Sequence, residues 1–400
     1  MAEDAWYEVF AEIIEDANLT TAGELVGVLA SACSRVGLDV TLYLADIQQH
    51  VLRPVTGGEE LDVDGSLAGR AFRFSQLVAS PQEHGGAVLW VPVIDGTERL
   101  GAARFRLPAG ADPEDPDLRA RCRILGMLTG HLIAGKLASG DLFHRVRRTA
   151  PYSVSSELLW QLLPPRTFAH PGLVISVVME PYDQVGGDGY DYAVDDHLAY
   201  LAVFDSTGHD LHAGLLTTTA LAATRNARRG GAGLEAITDA ADAALAGHAP
   251  LKGFTTAVLA TLDLATGTLH YLLAGHPPPV LLRSGSAVKV AHPAPRPPLG
   301  VPRRSPATGL GTMHLEPGDR LLLYSDGITE ARSPDRRFFG LDRLVDLTER
   351  HEAAGLTAPE TVRRIIHAVL EHQHGQLQDD ATLLLLEWST SRPTGLLPSH

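Results

Sequence analysis

From Leu173 onward the sequence is written in apolar runs of strand length, and several of them end against an aspartate beside a glycine. The runs are Leu173 to Met179, Leu198 to Phe204, Thr256 to Leu264, Thr268 to Leu273, Leu321 to Tyr324 and Thr382 to Leu386. They are grouped in pairs with short turns such as Ala265-Thr266-Gly267. Helical patterns, also paired, fall at Ala213 to Arg228, Leu234 to Ala246, Leu341 to Arg350 and Pro359 to His372. A parallel βαβ fold alternates its strands and helices one by one. Paired strands and paired helices instead predict antiparallel sheets covered by helices, an α+β class.

The aspartates are Asp188 in GGDGYD, Asp205 directly after LAYLAVF, Asp326 after LLLYS, and Asp379-Asp380 before TLLLLE. At each place a strand is expected to deliver a short acidic side chain to a loop, where glycine lets backbone and ligand approach closely. One Asp-Gly by itself is usually a turn dipeptide. Four such sites in one region point further, because converging carboxylates repel and need cations to be stable together. Oxygen donors without Cys or His in metal-ligand spacing favour Mg²⁺ or Mn²⁺ over zinc.

Before Leu107 the texture is mixed. Helical spacing runs through Trp6, Val9, Phe10, Ile13 and Ile14, then through Leu25, Val28 and Leu29. Strand-like runs follow at Val40 to Leu44, Leu89 to Ile94 and Leu100 to Leu107, with Asp95-Gly96 as a hairpin turn between the last two. Asp117 opens a long helical pattern through Leu137 that is expected to continue past Phe143 until Pro151. Such a helix suits a signal-carrying connector or a homodimer seam, or equally one more amphipathic helix on the N-terminal core. A shorter helix, Ser155 to Leu163, precedes Pro164-Pro165.

Four hundred residues exceed what one core usually serves, so two domains are expected. No apolar run approaches the ~18 residues of a membrane span. The opening MAEDAWYEVF lacks the basic residues of a secretory signal, so a cytoplasmic location is expected. Acidic residues outnumber basic ones 48 to 33, which argues against nucleic acid as the partner. A phosphorylated substrate stays compatible with that charge, since bound cations reverse the local potential. Cys33 and Cys122 have neither metal-site spacing nor the number for a disulfide framework.

Taken in order, the motifs resemble the SpoIIE/RsbU-type branch of the PPM (protein phosphatase 2C-like) serine/threonine phosphatases. The segments are WQLLPPR (Trp160 to Arg166), VGGDGYD (Val185 to Asp191), DSTGHDLHAGLL (Asp205 to Leu216), FTTAVLATLD (Phe254 to Asp263), YLLAGHPPPVLL (Tyr271 to Leu282), PPLGV (Pro297 to Val301), LEPGDRLLLYSDGITEAR (Leu315 to Arg332) and DDATLLLLE (Asp379 to Glu387). The resemblance implies an αββα sandwich over residues 167–388, followed by a disordered tail over 389–400. It implies two Mn²⁺ or Mg²⁺ ions held by Asp188, Asp205, Asp326 and Asp379, with Asp380 the rival for the last place and Ser206 offering its backbone carbonyl. A cation pair supplies an acidified water and neutralises charge on the phosphoryl oxygens. His209 is a candidate proton donor to the leaving oxygen and His276 a weaker one; Asp191 and Glu330 are expected to be structural. Two departures from the family stand out: Gly189 where an aromatic is usual, and Asp210 where glycine is usual.

GSLAGRAFRFSQLVAS (Gly65 to Ser80) with VLWVPVIDGTERLGAARF (Val88 to Phe105) resembles a GAF-type sensor domain, here over residues 1–138, with 139–166 as helical connector. The resemblance implies a phosphatase tuned by that domain, acting on a phosphorylated regulatory protein of the anti-sigma-factor antagonist type. The competing readings are a catalytically inactive scaffold that binds such a partner, and a phosphatase of small molecules.

Overall fold

The computed structural model describes every residue except 1, 84–85, 182–183, 185, 248–252, 303–308, 376, 390–395 and 399–400. The chain forms two compact units, residues 1–150 with 394–400 and residues 151–393. No helix among the described residues is long and apolar enough to cross a membrane.

The first unit contains α1 (Ala2–Ala17), α2 (Ala22–Ser34), β1 (Asp39–Ala45), β2 (Val51–Pro54), β3 (Leu61–Asp62), α3 (Leu67–Phe74), β4 (Val78–Glu83), β5 (Gly86–Asp95), β6 (Glu98–Arg106), α4 (Pro116–Leu137) and α5 (Leu142–Arg147). Its strands form one antiparallel sheet in the order β3-β2-β1-β6-β5-β4. Alternate side chains serve two cores. Leu42, Leu44, Leu89, Val91 and Phe105 join α1, α2, α4 and α5, whereas Tyr43, Ala45, Trp90 and Ala102 join α3. The hairpin turn is where the sequence places it, with Asp95 paired to Glu98 and Gly96 at φ 57°. The long helix is not continuous. It ends at Leu137 and restarts at Leu142, and Gly140 in the gap is a poor helix former that favours the break.

The second unit contains α6 (Val154–Leu162), β7 (Thr167–His170), β8 (Leu173–Glu180), β9 (Asp188–Asp195), β10 (Leu198–Ser206), α7 (Leu211–Arg229), α8 (Leu234–Gly247), β11 (Thr255–Asp263), β12 (Thr268–Ala274), β13 (Val280–Arg283), β14 (Ser286–Val288), β15 (Leu310–His314), β16 (Arg320–Tyr324), α9 (Asp326–Thr329), α10 (Leu341–Ala353), α11 (Ala358–His372) and β17 (Ala381–Trp388). Two antiparallel sheets result, β15-β12-β11-β10-β9 and β14-β13-β16-β17-β8-β7. Leu201, Val203, Tyr190 and Tyr192 of one sheet share a core with Val177, Leu323, Leu384 and Leu386 of the other. Ala202 and Phe204 point the opposite way, into a core with Leu216, Ala220 and Ile237 of α7 and α8. Helix α11 lies against β8 and β17. This is the αββα sandwich. Residues buried on both faces explain why the strands read as unbroken apolar runs.

Strands β7, β9, β13, β14 and β15 were not visible in the sequence, and β9 matters most. Asp188 does not lie in a loop beyond β8 but is the first residue of β9, whose Tyr190 and Tyr192 reach the inter-sheet core. Their hydroxyls donate to the carbonyls of Pro164 at 2.8 Å and Pro165 at 2.7 Å. Of the tail, residues 390–395 and 399–400 lie outside the described residues, while Leu396 is buried.

Candidate metal centre

Strand parity gathers the centre. Asp205 is in step with Leu201 and Val203, so it belongs to the inter-sheet face of β10. Asp188 is its direct cross-strand partner, in step with Tyr190 and Tyr192. Like charges directly opposite on one face destabilise a sheet unless something positive lies between them. From the facing sheet, Ser325 continues the parity of Leu321 and Leu323, and Thr382 that of Leu384 and Leu386. The hydroxyl of Ser325 donates to Asp188 Oδ2 at 2.7 Å, so one hydrogen bond joins the two sheets at the acidic end of the sandwich.

The two consecutive aspartates before β17 have different surroundings. Asp380 is buried, and its Oδ2 accepts the backbone N–H groups of Gly186 at 2.9 Å, Gly187 at 2.6 Å and Asp188 at 3.2 Å. It staples the turn that presents Asp188. Asp379 is exposed, and its charge acts on both Asp205 and Asp326. Asp326 opens the single turn of α9, next to Ser325 at its N-terminal boundary, and is raised by burial, then by Asp379 and Glu330.

Burial and mutual repulsion push these carboxyls up together. Asp205 is raised to about 8, first by burial and then by Asp326, Asp379 and Asp380; among the described residues the charges acting on it are acidic. Asp188, wholly buried, is held well above the ordinary carboxylate range by burial, then by Asp205 and Asp380. Such a donor set, rich in oxygen and short of positive charge, fits a hard divalent cation. Among the described residues no three Asp, Glu, His or Cys side chains are drawn tightly enough to make a finished cage.

Ser206 closes β10 on the opposite parity from Asp205. Its hydroxyl is bonded to Thr217 Oγ1 and Thr255 Oγ1, both at 2.7 Å, so only its backbone carbonyl is left as a donor to a cation. That carbonyl lies against Gly187, where a Cβ would come within 2.2 Å of it. Gly327 is as confined, 1.9 Å from the Asp380 carbonyl by the same measure. Both glycines are demanded by close backbone approach.

The histidines separate. His209 is exposed, its backbone packed on Gly186. His276 is buried; its Nδ1 pairs with Thr256 Oγ1 at 2.7 Å, and burial drives its pKa down to about 3. It is a neutral brace beside Asp205, whose cross-strand neighbour on β11 is Thr256. Asp191 is buried between Arg225 at 2.6 Å and Arg228 at 3.0 Å, a structural ion triad.

Both departures from the family pattern have local reasons. A Cβ at Gly189 would stand 2.6 Å from the Thr217 methyl, so a threonine of α7 occupies the room a side chain would need. Asp210 caps α7, accepting from His212 N at 3.0 Å and Ala213 N at 3.1 Å, and those bonds lower its pKa. Ser325, Thr217 and Thr255 were not foreseen. Ser325 could have been found from the period-two reading of β16.

The family model described as Stage II sporulation protein E (SpoIIE) matches residues 195–389, just under half of this chain and all within its second unit. Protein IcfG of Synechocystis sp. is 30% identical over 138 residues, covering 34% of this chain and 21% of that protein. Phosphoserine phosphatase RsbU of Bacillus subtilis is 26% identical over 214 residues, 54% of this chain and 63% of that protein. The crystal structure of the RsbU and RsbW domains of Rv1364c from Mycobacterium tuberculosis superposes with a TM-score of 0.48 at 25% identity, over 56% of this chain and 63% of that one. The chain thus spans about a fifth of one curated relative and under two thirds of the other.

Proposed function

We propose that the second unit is a metal-dependent protein serine/threonine phosphatase acting on a phosphorylated regulatory protein, under the control of a GAF-like first unit. The observation that carries this is the cross-strand pair of buried Asp188 and half-buried Asp205, opposed and, among the described residues, with only acidic charges acting on Asp205. Asp188, Asp205, Asp326, Asp379 and the Ser206 carbonyl would hold Mn²⁺ or Mg²⁺, and a bound cation pair supplies an acidified water and charge neutralisation on the phosphoryl oxygens. The residues do the rest. Asp380 fixes the turn before Asp188, Ser325 orients the Asp188 carboxylate, and Asp205, raised by burial and its acidic neighbours, is the carboxyl whose ionised form a bound cation would favour. His276, kept neutral by burial, braces Thr256, and exposed His209 is the candidate to protonate a leaving serine oxygen. The likeness to a phosphoserine phosphatase supports a phosphoserine or phosphothreonine substrate, by analogy an anti-sigma-factor antagonist.

The test is release of phosphate from a phosphoserine protein with Mn²⁺. Activity is expected to vanish in EDTA and to fall at least ~10³-fold in Asp205→Ala and Asp326→Ala, since metal-site electrostatics supply most of the barrier reduction. Variants with full metal-dependent turnover would sink the assignment. An inactive scaffold is the competing reading, and calorimetric titration showing no Mn²⁺ uptake by the parent would favour it.

A further inference from the structure

We propose that the hairpin Arg332–Phe338 is a docking surface for an acidic stretch of the phosphoprotein substrate, lying beside its phosphoserine. The inference rests on the phosphatase reading above and names what that site selects.

The hairpin grows out of the centre itself. Asp326 opens α9, and the chain leaves that turn into the antiparallel bridge Arg332 to Phe338. Gly340 N donates to Thr329 O at 2.9 Å and Phe339 N to Ala331 O at 2.8 Å, which closes the root of the hairpin on α9. From the other side Gln378, one residue before Asp379, donates its Nε2 to the Arg332 carbonyl at 3.4 Å. His372 of α11 donates Nε2 to the Arg337 carbonyl at 2.9 Å and stacks edge-on against Phe339. The hairpin is therefore fixed on three sides at the mouth of the carboxylate cluster.

Its exposed charged groups are mainly basic, three arginines against the single aspartate Asp335. Arg332, Arg336, Arg337 and Phe338 are exposed, and the Arg332 guanidinium lies 4.8 Å over the Phe338 ring. Among the described residues none of these three arginines has an ion-pair partner. Elsewhere in the same unit Arg225, Arg228, Arg283, Arg296, Arg320, Arg350, Arg363 and Arg364 pair with carboxylates. On a chain with fifteen more acidic than basic residues, three unpaired arginines around an exposed phenylalanine outnumber the hairpin's one aspartate, Asp335, and make a local reversal of charge. Arginine and aromatic side chains are those over-represented in binding hot spots, and the guanidinium fork takes carboxylates bidentately. At ~3.3 Å per residue the hairpin tip is ~10–15 Å from its root, so the acids it meets lie about three to five residues from the phosphoserine.

Two phosphoserine peptides test this, identical except that one carries aspartates and the other serines at positions three to five on both sides. Binding of the labelled peptides to the full chain is read by fluorescence anisotropy in EDTA, and turnover by phosphate release with Mn²⁺. The acidic peptide is expected to bind about tenfold more tightly and to have the higher kcat/KM, with the gap closing above 0.5 M salt on the order that two screened charge pairs predict. In Arg336→Glu/Arg337→Glu, and in the milder Arg336→Gln/Arg337→Gln, the ratio of the two peptides should fall to about one. Urea denaturation checks that these variants stay folded. Equal binding of the two peptides by the parent, an unchanged ratio in the glutamine variant, or equally tight binding of an oligothymidylate of matched charge would overturn the proposal. If the acidic peptide binds preferentially but neither peptide is hydrolysed, the surface stands and the phosphatase reading falls. If both are hydrolysed with equal kcat/KM and bind equally, the reverse holds.

Discussion

Asp379 and Asp380 are chemically identical neighbours, and only their surroundings give them different work. Removing the Asp380 carboxylate in Asp380→Ala leaves three buried N–H groups without an acceptor, a cost of about 2 kcal/mol or more. Urea denaturation without metal should register that loss, whereas Asp379→Ala should leave metal-free stability almost unchanged and instead weaken the response to Mn²⁺. Asp205 makes a second prediction. In the unfolded chain it ionises near its ordinary value, while in the folded protein it keeps its proton to about pH 8. Across that window the folded state binds more protons than the unfolded one, so metal-free stability falls as pH rises. Comparing urea midpoints in EDTA at pH 5.5 and 8.5 should show the fall, and Asp205→Asn should flatten it.

At the scale of elements, the centre depends on how α7 is seated on its sheet. Thr217 donates to the Gly187 carbonyl, shares a hydrogen bond with Ser206, and fills with its methyl the space left by Gly189. Thr217→Val keeps the shape but orphans buried polar partners, an expected loss of about 1–3 kcal/mol by urea denaturation, with reduced turnover. Thr217→Ser keeps the hydroxyl and should cost less. The apolar runs of β8, β10, β11, β12, β16 and β17 were legible in the sequence to within a few residues, because double-sided burial leaves a continuous apolar signature. Strand β9 was not. Its GGDGYD opening reads as turn chemistry, and only pairing with β10 makes it a strand. Likewise the aspartates were legible by position, but the stapling role of Asp380 was not. It depends on a turn nearly two hundred residues away in the chain.

At the scale of the whole molecule, the described hydrophobic clusters of residues 6–146 and those of residues 159–388 are separate. Calorimetry is therefore expected to resolve two transitions. Mn²⁺ should raise only that of the second unit, by about 2.7 kcal/mol at a hundred times Kd. A single transition shifted as a whole would contradict this independence. The hydrogen bond from Ser325 to Asp188, together with the Asp380 staple, has a further meaning during synthesis. Half of the acidic cluster is translated by residue 205, yet it is held in place by groups that emerge only between residues 325 and 382. A nascent chain therefore carries Asp188 and Asp205 for more than a hundred residues before the groups that hold them in place emerge. The acidic cluster is completed only when β17 inserts between β16 and β8.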